Sequence, residues 1–216
     1  ADEINRATPR TQSALLEAMA ERQVSVGRDS FTLPDLFLVM ATQNPIEQEG
    51  TYPLPEAQLD RFLMHVTIDY PAVEAERDIL NLVSNEAANV EGLAPDQVVQ
   101  ADLFAARQEV LAMHMAPEVE EYIIQLVMAT RNPGLYGDDL KAWLEYGASP
   151  RGTISLDRCA RAHSWVQGRD FVSPDDVQEI LFDVLRHRIL LSFEAEASGI
   201  TPDHVLETIR ERVPSA

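Results

Sequence analysis

The apolar positions repeat with two different periods. Over residues 8–22, Ala14, Leu15, Ala18 and Met19 recur at helical spacing. Thr8 stands where a cap belongs, and Pro9 suits the first helical position. Short runs of alternating β-formers follow at Gln23–Val26 and Phe31–Leu33, around a turn of Gly27, Arg28, Asp29 and Ser30. That arrangement predicts a β-hairpin. Leu36 to Thr42 is a continuous apolar run stopped by Gln43, Asn44 and Pro45. It reads as a strand buried on both faces of a parallel sheet. Residues 45–55 hold three prolines and Gly50, which predicts a loop. A short helix is expected over Pro55–Arg61 and a second strand over Phe62–Tyr70.

Beyond Pro71 the period is helical almost throughout. Helices are predicted over 72–88, 101–114, 117–131, 150–168 and 174–187, broken at Pro95, Pro117, Pro133-Gly134, Gly147 and Pro174. Residues 132–149 read as a long loop, Arg188–Phe193 as a short strand and Pro202–Arg212 as a final helix. The expected boundary lies near Pro71, with an α/β part before it and a mainly helical part after it.

Charge and cysteine usage narrow the function. The 216 residues carry 36 acidic against 17 basic side chains, a formal charge of −19. Such a surface repels phosphate backbones and argues against direct nucleic-acid binding. No apolar run is long enough to span a bilayer, and no signal peptide is visible. The single cysteine, Cys159, fits a reducing compartment and reads as a small core residue, so a cytoplasmic setting is expected. The histidines share no metal-ligand spacing. The chain opens Ala-Asp-Glu, like an internal point of a longer protein.

Four short features carry candidate chemistry. Adjacent carboxylates, Asp2 and Glu3, can divide a task, one holding Mg²⁺ and the other polarising water. Asn44 follows an apolar strand, where an amide can position water or touch a terminal phosphate. Arg61, in the sequence Leu59-Asp60-Arg61-Phe62, could reach a neighbouring subunit and stabilise phosphoryl-transfer charge. Arg151 follows the cap-and-proline pair Ser149-Pro150 at a helix start that attracts anions. Taken one at a time, each also fits a bland reading: an acidic surface pair, a turn Asn, an Arg61–Asp60 surface arrangement and a capped helix with a solvent-facing Arg.

Their order is more specific than any one of them. Asp-Glu, hairpin, strand-Asn, Leu-Asp-Arg-Phe and Ser-Pro-Arg follow the order of AAA+ ATPases. Asp2 to Ala7 resembles the Walker B end of the MoxR family, and Thr11 to Met19 the helix after it. Ala41 to Phe62 resembles that family almost word for word. The hairpin at 23–33 is similar to the insertion before sensor 1 in the clade of MoxR, magnesium chelatase and MCM proteins. The likeness continues through Gly147–Arg151 and Leu191–Ala197, so it covers essentially the whole chain.

The resemblance implies a fold: a partial P-loop AAA+ core of α/β type over 1–71, then a mainly α-helical lid over 72–216. It also implies roles. Asp2 would help hold Mg²⁺ and Glu3 would activate the attacking water. Asn44 would be sensor 1, Arg61 an arginine finger acting in trans, and Arg151 sensor 2. Arg6 and Arg10 would face the neighbouring subunit, and the hairpin around Gly27–Ser30 the ring centre or a client. ATP and Mg²⁺ would be the cofactors. The intact protein would be a hexameric ring that remodels protein partners, often beside proteins with von Willebrand factor A domains.

One departure stands out. None of the nine glycines is followed by Lys, so the family's phosphate-cradling Gly-x-x-x-x-Gly-Lys-Thr loop is absent from these residues. The expectation is an incomplete ATPase, inactive by itself. A stand-alone, non-catalytic binding module remains the alternative. A metal-dependent hydrolase rests only on Asp2, Glu3 and scattered histidines.

Overall fold

The computed structural model describes residues 1–44, 50–87 and 97–215. The expected loop over 45–55 lies partly outside them, as do the break at Pro95 and the last residue of the helix expected over 72–88. Two compact units are present: 1–65 together with 109–216, and Val66–Gln108.

The first unit opens with a fragment of parallel ladder. The Ala1 ammonium donates to the Met40 carbonyl at 2.6 Å, and the Thr42 N–H donates to the Ala1 carbonyl at 3.0 Å. One residue donating to one side of Ala41 and accepting from the other is the parallel pattern. A 3₁₀ turn, Ile4–Arg6, then leads into helix α1, Pro9–Glu21. Thr8 occupies the cap position, but its hydroxyl pairs with that of Thr11 instead of the backbone. Buried Gln12 donates to the carbonyls of Ile4 and Tyr52, which ties α1 to the turn and to the segment before α2, Glu56–Leu59.

The hairpin forms as expected. Strands β1, Gln23–Val26, and β2, Asp29–Thr32, pair antiparallel from Gln23↔Thr32 to Val26↔Asp29. The turn is tighter than the four residues the sequence suggests. Only Gly27 and Arg28 link the strands, and Gly27 adopts φ +68°, which a side chain would resist.

Two expected strands do not form. Residues 36–42 and 62–70 run irregularly. A strand exists only by pairing, and among the described residues the backbone bonds to the first segment come only from Ala1 and Ile4, at its Met40–Thr42 end. Leu38 and Met40 are accordingly 83 % and 73 % exposed. Residues 60–63 and His65 are instead held by the helical half, through side chains described below and through the His65 N–H, which donates to the Asp183 carbonyl at 2.7 Å.

The second unit contains α3, Val73–Ala87, and most of α4, Gln100–Ala112. The rest of the helical half builds the main core. After β3, His114–Met115, come α5, Pro117–Arg131, α6, Asp138–Trp143, and β4, Leu144–Tyr146. Then follow α7, Pro150–Val166, β5, Phe171–Val172, α8, Pro174–Leu185, β6, Leu190–Leu191, α9, Phe193–Ala197, and α10, Pro202–Arg212. β3 pairs parallel with β5, and β4 antiparallel with β6.

The burial follows the sequence period. On α8, Val177, Ile180, Leu181, Val184 and Leu185 are buried, and on α5, Val119, Tyr122, Ile123, Leu126 and Val127. Each such side chain contributes about 1.5–3 kcal/mol of transfer free energy. Ser149, Ser173, Ser192 and Thr201 cap the helices that follow them.

The loop expected over 132–149 is a correction. It holds a 3₁₀ turn, Pro133–Leu135, then α6 and β4. Asp138 and Asp139 favour the start of α6, while β4 depends on a distant partner, through the pairs Leu144↔Leu191 and Tyr146↔Leu190, and leaves no local signal.

Candidate active site

The first cluster forms around Thr42. Its hydroxyl donates to Asp2 Oδ1 at 2.6 Å and accepts the Glu3 N–H at 2.8 Å. One side chain therefore orients one carboxylate and the backbone of the next. Glu3 adopts a left-handed conformation, φ 45° and ψ 57°, which costs a non-glycine residue roughly 1 kcal/mol. Strain of this kind collects at functional positions. The Glu3 carboxylate takes Arg6 Nε at 2.7 Å. Asn44 is half-buried, two residues beyond Thr42 in the same segment.

The second cluster forms around Asp60, directly before Arg61. Asp60 Oδ2 accepts the Ser149 hydroxyl at 2.8 Å and lies 3.9 Å from Arg151 Nη1. Ser149 uses the same hydroxyl oxygen to accept the Arg151 N–H and cap α7. Asp60 Oδ1 pairs with Arg188 Nε at 3.1 Å, and the Arg188 side chain is only 1 % exposed. Arg188 also donates to the carbonyls of Asp60, Phe62, Leu63 and Val184 and to the Ser155 hydroxyl. Arg61 itself is exposed, on an open groove lined by Glu17, Ala20 and Glu21 of α1. The Arg61–Asp60 arrangement read from sequence does not occur, because Asp60 faces the helical half.

Next to this cluster, His187 and His65 stack edge to face at 5.8 Å. Burial, then the charge of Arg188, pushes His187 down to about 4. Its Nε2 lies 3.2 Å from the Phe62 carbonyl, and its buried Nδ1 has no hydrogen-bond partner among the described residues. Cys159 is buried in the core, and burial raises its thiol to about 11, which suits packing rather than chemistry.

The sequence-derived residues thus fall into two places. Asp2, Glu3 and Asn44 belong to the Thr42 end, while Arg61 and Arg151 flank Asp60. Among the described residues, no hydrogen bond or ion pair joins Asp2 or Glu3 to Arg61 or Arg151. Sequence reasoning missed Asp60, Arg188 and the second bond of Ser149. The available signal was Arg188 directly before the apolar Ile189-Leu190-Leu191, since a buried charge requires partners.

Comparisons with known proteins bear on both halves. The ATPase family associated with various cellular activities (AAA) matches residues 1–64, and the AAA lid domain matches residues 141–209. Chaperone MoxR1 of Mycobacterium tuberculosis is 44 % identical over 99 % of this chain and 56 % of its own length. Protein MoxR of Paracoccus denitrificans is 36 % identical over 93 % of this chain and 62 % of its own length. A solved structure from Cytophaga hutchinsonii, provisionally named an ATPase, superposes with a TM-score of 0.94 at 44 % identity. It is matched by 100 % of this chain over 65 % of its own. The 216 residues therefore span less than two thirds of the length of these relatives.

Proposed function

This chain belongs to the MoxR family of AAA+ ATPases, and from that premise we propose that it forms the water-activating and sensing side of a ring ATPase. Residues 1–71 are the core portion and 72–216 the lid. The observation that carries the reading is Thr42, which gathers Asp2 and Glu3 onto the segment leading to Asn44 across 40 and 39 positions of sequence.

Glu3 draws the proton from the attacking water, after its carboxylate exchanges Arg6 for that water. Asn44 orients the water or the terminal phosphate. Arg61, exposed and outside the Asp60 cluster, reaches the neighbouring subunit's nucleotide as an arginine finger. Arg151, at the N-terminus of α7, meets phosphate through both its guanidinium and the helix end.

Mg²⁺ fits Asp2. It binds through one or two carboxylates and completes its shell with water and phosphate oxygens. Asp2 is exposed with one oxygen already oriented, and no cage of three or more His, Cys, Asp or Glu side chains exists among the described residues. Bound with ATP, the ion would neutralise charge on the phosphates. The Gly-Lys-Thr loop that cradles those phosphates comes from outside these residues.

The proposed assembly is a homo-oligomeric ring, a hexamer, that remodels protein partners in the cytoplasm beside von Willebrand factor A domain proteins. The exposed hairpin residues Val26 and Phe31, 63 % and 58 % exposed, suit contact with a client. A charge of −19 favours basic protein surfaces over nucleic acid. Among the described residues, no helix is long and apolar enough to cross a membrane.

The purified 216-residue chain is expected to show no ATP turnover above background in a coupled phosphate-release assay. Robust hydrolysis that Glu3→Gln abolishes would show that the site is complete without the cradle.

A further inference from the structure

Asp60 stands between two arginines that the proposed function directs to different nucleotides. It immediately precedes Arg61, and Oδ2 lies 3.9 Å from Arg151. At that distance the Arg151 pair is ionic but not hydrogen-bonded. The stronger bonds of Asp60 go to structure: Ser149, the cap of α7, and Arg188, the buried arginine. Arg188 in turn grips the backbone at Asp60, Phe62 and Leu63, and it touches Ser155 on α7 and Val184 on α8. The chain on both sides of Arg61 is therefore fixed to the helix that presents Arg151.

We propose that Asp60 is a positioning residue that couples nucleotide sensing by Arg151 in one site to the placement of Arg61 in the next. The proposal rests on the ring-ATPase reading above. Coupling needs a contact that differs between two states. The Arg151–Asp60 pair is such a contact, because a phosphate engaging Arg151 competes with the Asp60 carboxylate for the same guanidinium. Ser149 and Arg188 keep their hold on Asp60 during that exchange. Movement of α7 toward the phosphates therefore carries the backbone at 60–63, and Arg61 with it. Asparagine at position 60 would keep an acceptor for Ser149, but it would lose the charge that holds Arg188 and competes for Arg151.

The test uses protein that contains the phosphate-cradling half as well as these residues. ATP turnover is measured against ATP concentration, and nucleotide affinity with N-methylanthraniloyl-ADP. Wild-type turnover should rise sigmoidally. Asp60→Asn should bind the probe within about threefold of wild type, yet lose about tenfold or more in kcat. Its Hill coefficient should fall to about 1. Ser149→Ala, which removes one bond and no charge, should show the same loss in weaker form and serves if Asp60→Asn fails to fold. A merely structural Asp60 would lower the melting temperature and leave the Hill coefficient unchanged. Non-sigmoidal wild-type turnover, or an unchanged Hill coefficient in both variants while Arg61→Ala abolishes turnover, overturns the coupling. Turnover that survives Arg61→Ala overturns the finger assignment itself, and the coupling falls with it.

Discussion

Arg188 and Arg61 lie close in the fold but answer to different constraints. Arg188 is buried, paired with Asp60 and bonded to four carbonyls and a hydroxyl. Removing one partner of a buried pair leaves the other uncompensated, at a cost of about 3–5 kcal/mol. Asp60 is 19 % exposed, so water recovers part of its solvation and the lower end applies. Arg188→Met should therefore lower unfolding free energy by about 3 kcal/mol in urea titration. Arg61→Ala, at an exposed position, should stay within about 0.5 kcal/mol of wild type. Equal losses in the two variants would mean that the Arg188 network does not hold the fold. Candidate positions and their contacts were unevenly legible in the sequence. Asp2, Glu3, Asn44, Arg61 and Arg151 are marked by ordered motifs. Asp60's bonds to Ser149 and Arg188 span 89 and 128 positions, and no local pattern encodes a contact that distant.

Among the elements, α7 depends on a glycine three residues before its start. A Cβ at Gly147 would come within 2.4 Å of the Thr130 carbonyl oxygen and 2.8 Å of the Arg131 nitrogen, both backbone atoms. Gly147→Ala must push the approach to Ser149 away from α5, and about 1–3 kcal/mol of stability should be lost in urea titration. A neutral result would mean that the loop relaxes without disturbing α5. The end of α8 gives a pH dependence. His187 has a folded pKa of about 4 against 6.5 unfolded, and burial also lowers His65. As pH falls from 6.5 to 4, the unfolded chain takes up protons that the folded chain refuses, so stability is lost across that window. The His187 contribution is roughly 2–3 kcal/mol. His187→Gln should flatten the loss between pH 6.5 and 4, and an unchanged slope would contradict the assignment.

The elements were legible where local period and caps decide them. α5, α7, α8 and α10 begin at the prolines that the sequence marks. Helical bonds close within four residues, so a short window contains the information. Strands at 36–42 and 62–70 were expected from apolar content, but apolar content does not supply a neighbouring strand. β4 and β6 show the converse, since each is short and exists through the other.

At the scale of the molecule, the residues of the proposed site are gathered in two clusters. Thr42 holds Asp2 and the Glu3 backbone, and the Asp60 cluster ties the segment around Arg61 to the helical half. None of the nine glycines is followed by lysine. The central claim is that Glu3 acts within its own subunit while Arg61 acts on the neighbour's nucleotide. Mixing variants tests it directly, in protein that carries the cradle together with these 216 residues. Glu3→Gln and Arg61→Ala should each be inactive alone while still binding nucleotide, with kcat reduced at least about 10³-fold for the finger variant. Mixed rings place an intact Glu3 next to an intact Arg61, so phosphate release should return when the two proteins are combined. Mixtures that exchange subunits yet stay as inactive as their components would contradict the account.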